Sequence, residues 1–93
     1  MQQVTEEMRT GIKNLIMETL GITDIRPEDI DNDKPLFGGT NALTLDSVDA
    51  LEIIMAIQRR YGIRIADQNL ARSVIYSINS IATFLASELD KQA

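Results

Sequence analysis

The fold of this chain is decided by residues 45 to 65, LDSVDALEIIMAIQRRYGIRI. From residue 50 onward the apolar residues recur at intervals of three and four, which places them on one face of an amphipathic helix. The residues on this face are Ala50, Ile53, Ile54, Ile57 and Tyr61. The pattern predicts a helix over residues 46 to 61, ended by Gly62, whose apolar face belongs to the core of the protein.

The same helix carries a second apolar line, rotated away from the first. Val48, Leu51 and Met55 form this line, and the acidic residues Asp49 and Glu52 lie beside it. Two interpretations are open. Either both apolar faces are buried in a small bundle, or the second line is a docking surface bordered by carboxylates.

The start of this helix has two candidate capping residues, Asp46 and Ser47. The side-chain oxygen of either one can accept a hydrogen bond from the free amides of the first turn. A serine before a helix is usually a cap and nothing more. However, a serine oxygen at this place also lies where the helix dipole and the free amides favour a phosphate ester. Ser47 is therefore a candidate to carry a phosphate-linked group.

Several segments together resemble the acyl carrier protein family. They are DSVD at residues 46 to 49, LE at residues 51 and 52, and YGIRI at residues 61 to 65. These match the modification motif and the second helix of the family, and DKPLF at residues 33 to 37 is similar to the loop that precedes the motif. The resemblance covers nearly the whole chain, with the spacing of four helices.

The resemblance implies a site and a cofactor. In this family the serine of the motif receives a 4′-phosphopantetheine arm from coenzyme A, so Ser47 is the expected attachment residue, with Asp46 beside it. The expected partner-docking residues are Val48, Asp49, Leu51, Glu52 and Met55. The chain departs from the family at Val48, where leucine is usual, and at Thr44, where glycine is frequent. It also has Gln58-Arg59-Arg60 where fatty-acid carriers usually have further acidic residues. This difference in charge bears on the choice of partners.

The composition favours helices packed on helices. The chain has 93 residues, which suits one domain, with 44% hydrophobic and only 4% aromatic residues. We expect a single acyl-carrier-like domain over residues 1–93. Its predicted fold class is all-α, a small four-helix bundle with a long loop between helices one and two. The predicted helices lie near residues 3 to 20, 46 to 61, 67 to 74 and 77 to 90, the third being short.

The core and the loop can also be predicted. The loop over residues 21 to 46 is long, so it must be anchored, and Pro27 can open a short helical turn within it. We expect the apolar loop residues to be partly buried, namely Ile25, Ile30, Leu36 and Phe37. The residues expected to be most buried are Ile12, Leu15, Ile16, Ile53, Ile54, Ile57, Ile81 and Leu85.

Residue usage argues against an enzyme and against a metal site. The chain has no Cys and no His, which excludes thiol nucleophiles, disulfides, zinc sites of the Cys/His type and Ser-His-Asp arrangements. The acids Asp29, Asp31 and Asp33 have the spacing of a calcium loop. The rest of that pattern fails, because Lys34 replaces the required glycine and Thr40 replaces the closing glutamate.

The charge distribution bears on partners. The net charge is −5, which argues against nucleic acid as a partner, because that binding depends on neutralising phosphates. Residues 18 to 52 hold nine acids and two bases, and residues 53 to 93 hold three acids and five bases, so acid surrounds Ser47. No segment has the length of a membrane span or the form of a signal peptide. We expect a cytoplasmic monomer with no membrane partner.

The leading functional hypothesis is a stand-alone acyl carrier protein that is not itself an enzyme. It would hold acyl intermediates as thioesters on the arm at Ser47, for fatty-acid, polyketide or related acyl assembly. Its expected partners are a phosphopantetheinyl transferase and enzymes of the acyltransferase and ketosynthase types with basic docking patches. Two alternatives stay open: a helical protein-protein interaction module without a prosthetic group, and an aminoacyl or peptidyl carrier.

Overall fold

The computed structural model of the chain describes residues 4–65 and 67–92. Over these residues the chain forms four α-helices and one 3-10 turn, and no strand. The elements are α1 (Glu6–Leu20), the 3-10 turn (Pro27–Asp29), α2 (Ser47–Tyr61), α3 (Gln68–Val74) and α4 (Ile78–Gln92). The predicted all-α bundle with a short third helix and a long loop between helices one and two is confirmed. No helix within the described ranges has the length and apolar character needed to cross a membrane.

The helix ends differ from the predicted ones by more than one residue in two places. α1 begins at Glu6 and not near residue 3, because the hydroxyl of Thr5 caps it by accepting from the amide of Met8 at 3.1 Å. α4 continues to Gln92, two residues beyond the predicted end. Leu89 packs on the core and anchors this end of the helix, whereas the exposed pair of Lys91 and Glu88, 3.6 Å apart, adds little.

The core lies where α1 packs against both α2 and α4. Its centre consists of fully buried aliphatic residues from these three helices, namely Ile12, Ile16, Ile53, Ile57, Ile81 and Leu85. These six predictions are confirmed. The predictions for Leu15 and Ile54 are wrong, because both side chains are only half-buried. Each is one residue from a fully buried isoleucine, and the helix turns by about 100° per residue, which places them at the edges of the core face.

The long loop between α1 and α2 is held against the bundle by apolar anchors. Ile30 and Leu36 are fully buried and Ile25 and Phe37 are half-buried, so the prediction of an anchored loop is confirmed. Backbone hydrogen bonds add to this anchoring. The amide of Leu36 donates to the carbonyl of Tyr76 at 2.8 Å, and the amide of Leu45 donates to the carbonyl of Leu36 at 2.8 Å. The residues that lead into α2 are thereby tied to the connection between α3 and α4.

The acidic part of the loop organises its own turns. The carboxylate of Asp31 accepts from the amides of Asp33 and Lys34 at 2.8 and 3.0 Å. These hydrogen bonds, that from Asp33 first, lower the pKa of Asp31. The side chain of Asn41 accepts from the amide of Asp31 at 2.8 Å and closes the loop. Across the part of the chain that the structure describes, no group of acidic residues is arranged to hold a metal ion.

Candidate functional site

The N-terminus of α2 is capped by Asp46. Its carboxylate accepts from the amide of Asp49 at 2.9 Å, and the carboxylate of Asp49 accepts from the amide of Asp46 at 3.2 Å. This reciprocal pair is a capping box, which satisfies two backbone donors and fixes the direction in which the chain enters the helix. Of the two candidate caps in the sequence, Asp46 has this role.

Because Asp46 caps the helix, the hydroxyl of Ser47 is left free. Ser47 is the first residue of α2 and is exposed, and its side chain has no hydrogen bond to any residue in the described ranges. The backbone amides of Ser47 and Val48 likewise have no partner among the described residues. An oxygen bonded to phosphorus at this position would lie beside free N–H groups at the positive end of a helix.

A groove between α2, α3 and the long loop opens beside Ser47, with a volume of about 460 Å³. We call it the α2–α3 groove. Its walls are mainly apolar and consist of Phe37, Ala50, Leu51, Ile54, Ala71 and Ile75. Ser47 and Arg72 complete the lining. A free serine hydroxyl beside an apolar groove fits a phosphate-linked arm that carries an organic group, so the residues present fit 4′-phosphopantetheine.

The second apolar line of α2 is exposed. Val48, Leu51 and Met55 have relative exposures of 64%, 63% and 57%. The interpretation in which both apolar faces of the helix are buried is therefore wrong. Large exposed hydrophobic side chains in a row on one helix are a feature of surfaces that bind partners.

The acidic residues proposed for docking are not equivalent in the structure. Glu52 is exposed and is available to pair with a partner, whereas Asp49 is partly buried and its carboxylate belongs to the capping box. At the other end of α2, Arg59 and Arg60 are exposed in the last turn. The two ends of α2 thus present opposite charges, which is also the arrangement that the helix dipole favours.

The contribution of α3 to the groove was not predicted from the sequence. Ala71 and Ile75 are four residues apart and therefore share one face, and this spacing was the available signal. Arg72 carried no signal of its own, because a lone arginine in a short amphipathic helix is usually a solvated surface residue. Only the packing of α3 near α2 brings Arg72 to the same groove as Ser47.

Comparisons with known proteins agree with this geometry. Residues 10–85 match the family described as the phosphopantetheine attachment site, and this range includes Ser47 and all but the last turns of α4. An acyl carrier protein of Acidothermus cellulolyticus is 31% identical over 67 residues, which cover 70% of this chain and 70% of that protein. The chain therefore belongs to the acyl carrier protein family, and its cofactor is a covalently attached 4′-phosphopantetheine.

Proposed function

We propose that Ser47 carries the arm and that the protein holds acyl intermediates on it as thioesters, for fatty-acid, polyketide or related acyl assembly. The observation that supports this assignment is the division of roles at the start of α2. Asp46 satisfies the amide of Asp49, so the exposed hydroxyl of Ser47 is not needed for the fold. Asp46 acts as the residue that positions the serine.

The chain supplies the serine hydroxyl to which the phosphodiester is attached, and it supplies no catalytic group. The sequence has no His, and the carboxylates closest to Ser47 in sequence, those of Asp46 and Asp49, accept from each other's backbone amides. The base that removes the proton of the Ser47 hydroxyl during attachment therefore comes from the modifying transferase. Once attached, the arm supplies a terminal thiol to which acyl groups bond as thioesters. On this proposal the protein is a carrier and not an enzyme.

The partners of the carrier are a phosphopantetheinyl transferase and acyl-handling enzymes of the acyltransferase and ketosynthase types. We infer that they contact the exposed line of Val48, Leu51 and Met55, which lies next to Ser47 on α2. Glu52 and the acidic cap would attract basic residues of the partner, and exposed charges act mainly on encounter rate and orientation. Asp49 serves this surface chiefly by keeping the start of α2 in place.

The mass of the intact protein tests the assignment of Ser47. The protein is incubated with coenzyme A and a broad-specificity phosphopantetheinyl transferase, and we expect it to gain the mass of one phosphopantetheine group. Ser47→Ala should not gain it. Ser87→Ala is the matched control, because Ser87 is an exposed serine on α4, and this variant should be modified like the wild type. Modification of Ser47→Ala, or none of the wild type, would overturn the assignment.

Two other functions have some support. The exposed apolar line of α2 would also suit an interaction module that works without the arm, and the mass measurement separates that function from a carrier. An aminoacyl or peptidyl carrier would use the same serine. The apolar walls of the α2–α3 groove favour acyl chains instead, since a protonated amino group in it would be repelled by Arg72. Loading assays with acyl and aminoacyl donors distinguish these two kinds of carrier.

A further inference from the structure

Of the described residues that line the α2–α3 groove, one is charged, Arg72. Arg72 lies in the last turn of α3, is exposed, and makes no hydrogen bond or ion pair with any residue in the described ranges. Among the residues that the structure describes, no carboxylate lines the groove with it. The guanidinium of Arg72 is therefore available to an anion that enters the groove from outside the polypeptide.

Ser47 borders the same groove from α2. The carboxylates closest to it in sequence, Asp46 and Asp49, are engaged in the capping box and do not line the groove. An anion attached to Ser47 would have free backbone amides at the start of α2 and the cation of Arg72 on the wall of the groove. A guanidinium presents a planar fork of donors that matches phosphate and carboxylate oxygens, and apolar walls strengthen such a pair by reducing the local dielectric constant.

We propose that Arg72 binds an oxyanion of the loaded arm and so retains the arm in the α2–α3 groove. This inference rests on attachment of the arm to Ser47. The oxyanion is either the phosphodiester at Ser47 or a carboxylate at the free end of the acyl cargo. If the bound group is the phosphodiester, Arg72 protects every thioester on the arm from cleavage. If it is the carboxylate, Arg72 protects only cargo that is a half-thioester of a dicarboxylic acid.

The test uses the protein with three states of the arm: free thiol, butanoyl thioester and butanedioyl thioester. The two acyl groups have the same number of carbon atoms and differ in the terminal carboxylate. Arg72→Gln removes the charge, Arg72→Lys keeps the charge without the planar fork, and Arg59→Gln is the control for loss of an exposed arginine outside the groove. The readouts are the ³¹P resonance of the phosphodiester and the rate at which hydroxylamine cleaves the thioester.

If the phosphodiester is the bound group, Arg72→Gln should move and sharpen the ³¹P resonance in all three states. It should also speed the cleavage of both thioesters by about two- to five-fold, the range that exposed ion pairs give. If the carboxylate is the bound group, only the butanedioyl thioester should be cleaved faster. In either case Arg72→Lys should show a smaller change, and Arg59→Gln should match the wild type.

Two outcomes overturn the proposal, and they can be told apart. An Arg72→Gln protein that carries the arm but matches the wild type in every state overturns the role of Arg72 alone. Failure of the wild type to gain the mass of the arm at Ser47 overturns this proposal together with the function from which it follows. The mass is measured before the other readouts.

Discussion

Arg9 and Asn79 lie at opposite ends of the sequence and are joined by a hydrogen bond of 2.7 Å, from Nε of Arg9 to the side-chain oxygen of Asn79. The side-chain nitrogen of Asn79 donates to the carboxylate of Asp33, and its backbone amide donates to the carbonyl of Asn32 at 2.9 Å. Asn79 therefore joins α1, the long loop and α4 through three hydrogen bonds.

We expect Asn79→Ala to lower the free energy of unfolding by about 1 to 3 kcal/mol, because a partly buried arginine and a carboxylate each lose a partner. Unfolding in urea, with an unchanged slope, measures this loss. Thr83→Ala is the control, since Thr83 is an exposed residue of α4. Equal stability of the two variants would mean that the Asn79 side chain contributes nothing to the fold.

Truncating Ile54 and truncating Ile57, one turn apart on α2, should lower the free energy of unfolding by different amounts. Ile57 is fully buried, so Ile57→Ala should lower the free energy of unfolding by about 2 to 5 kcal/mol through lost burial and a new cavity. Ile54 is half-buried and lines the α2–α3 groove, so the same truncation there should cost less. Denaturant unfolding of both variants, measured in parallel, gives the comparison. A larger loss at Ile54 would contradict the packing described for α2.

Two glycines should respond in opposite directions to the same substitution. Gly11 lies within α1, and a Cβ atom there would meet the hydroxyl of Tyr61 at 3.7 Å, which is an ordinary contact. Gly11→Ala should therefore raise the free energy of unfolding by roughly 0.5 to 1 kcal/mol, the helix propensity difference between the two residues. Gly62 ends α2 with a φ of 66°, so Gly62→Ala should destabilise by about 1 to 2 kcal/mol. Melting temperatures of the two variants, shifted in opposite directions, are the expected result.

Charge reversal on α2 tests the docking surface. Glu52→Lys should slow transfer of the arm to Ser47, because it repels basic residues of the transferase, and the effect should shrink as salt rises. Glu52 is preferred to Asp49 for this test because Asp49 also caps the helix. Arg60→Glu is the control, since it reverses a charge in the last turn of the same helix. A larger loss of rate in the control, in a transfer assay at low salt, would place the docking surface at the other end of α2.

Local features of this protein were decided by the sequence itself. The spacing of Ile53 and Ile57 predicted the buried face of α2, and Gly62 predicted its end. The motif around Ser47 predicted the family and the cofactor. These features could be predicted because they depend on a few consecutive residues. Both the periodicity of a helix and the capping of the free N–H and C=O groups at its ends are of this kind.

Tertiary structure decided which neighbouring residue takes each role. Asp46 and Ser47 were equal candidates for the cap; the capping bonds to Asp46 are local, but the hydrogen bond from Leu45 to Leu36 holds the start of α2 against the loop. Likewise, Ile54 became a wall of the groove and not part of the core. The meeting of Arg72 with the groove at Ser47, and of Arg9 with Asn79, depends on how separate helices pack. Such contacts leave no periodic trace in the sequence, because the angle and distance between two helices are set by all the side chains that pack between them.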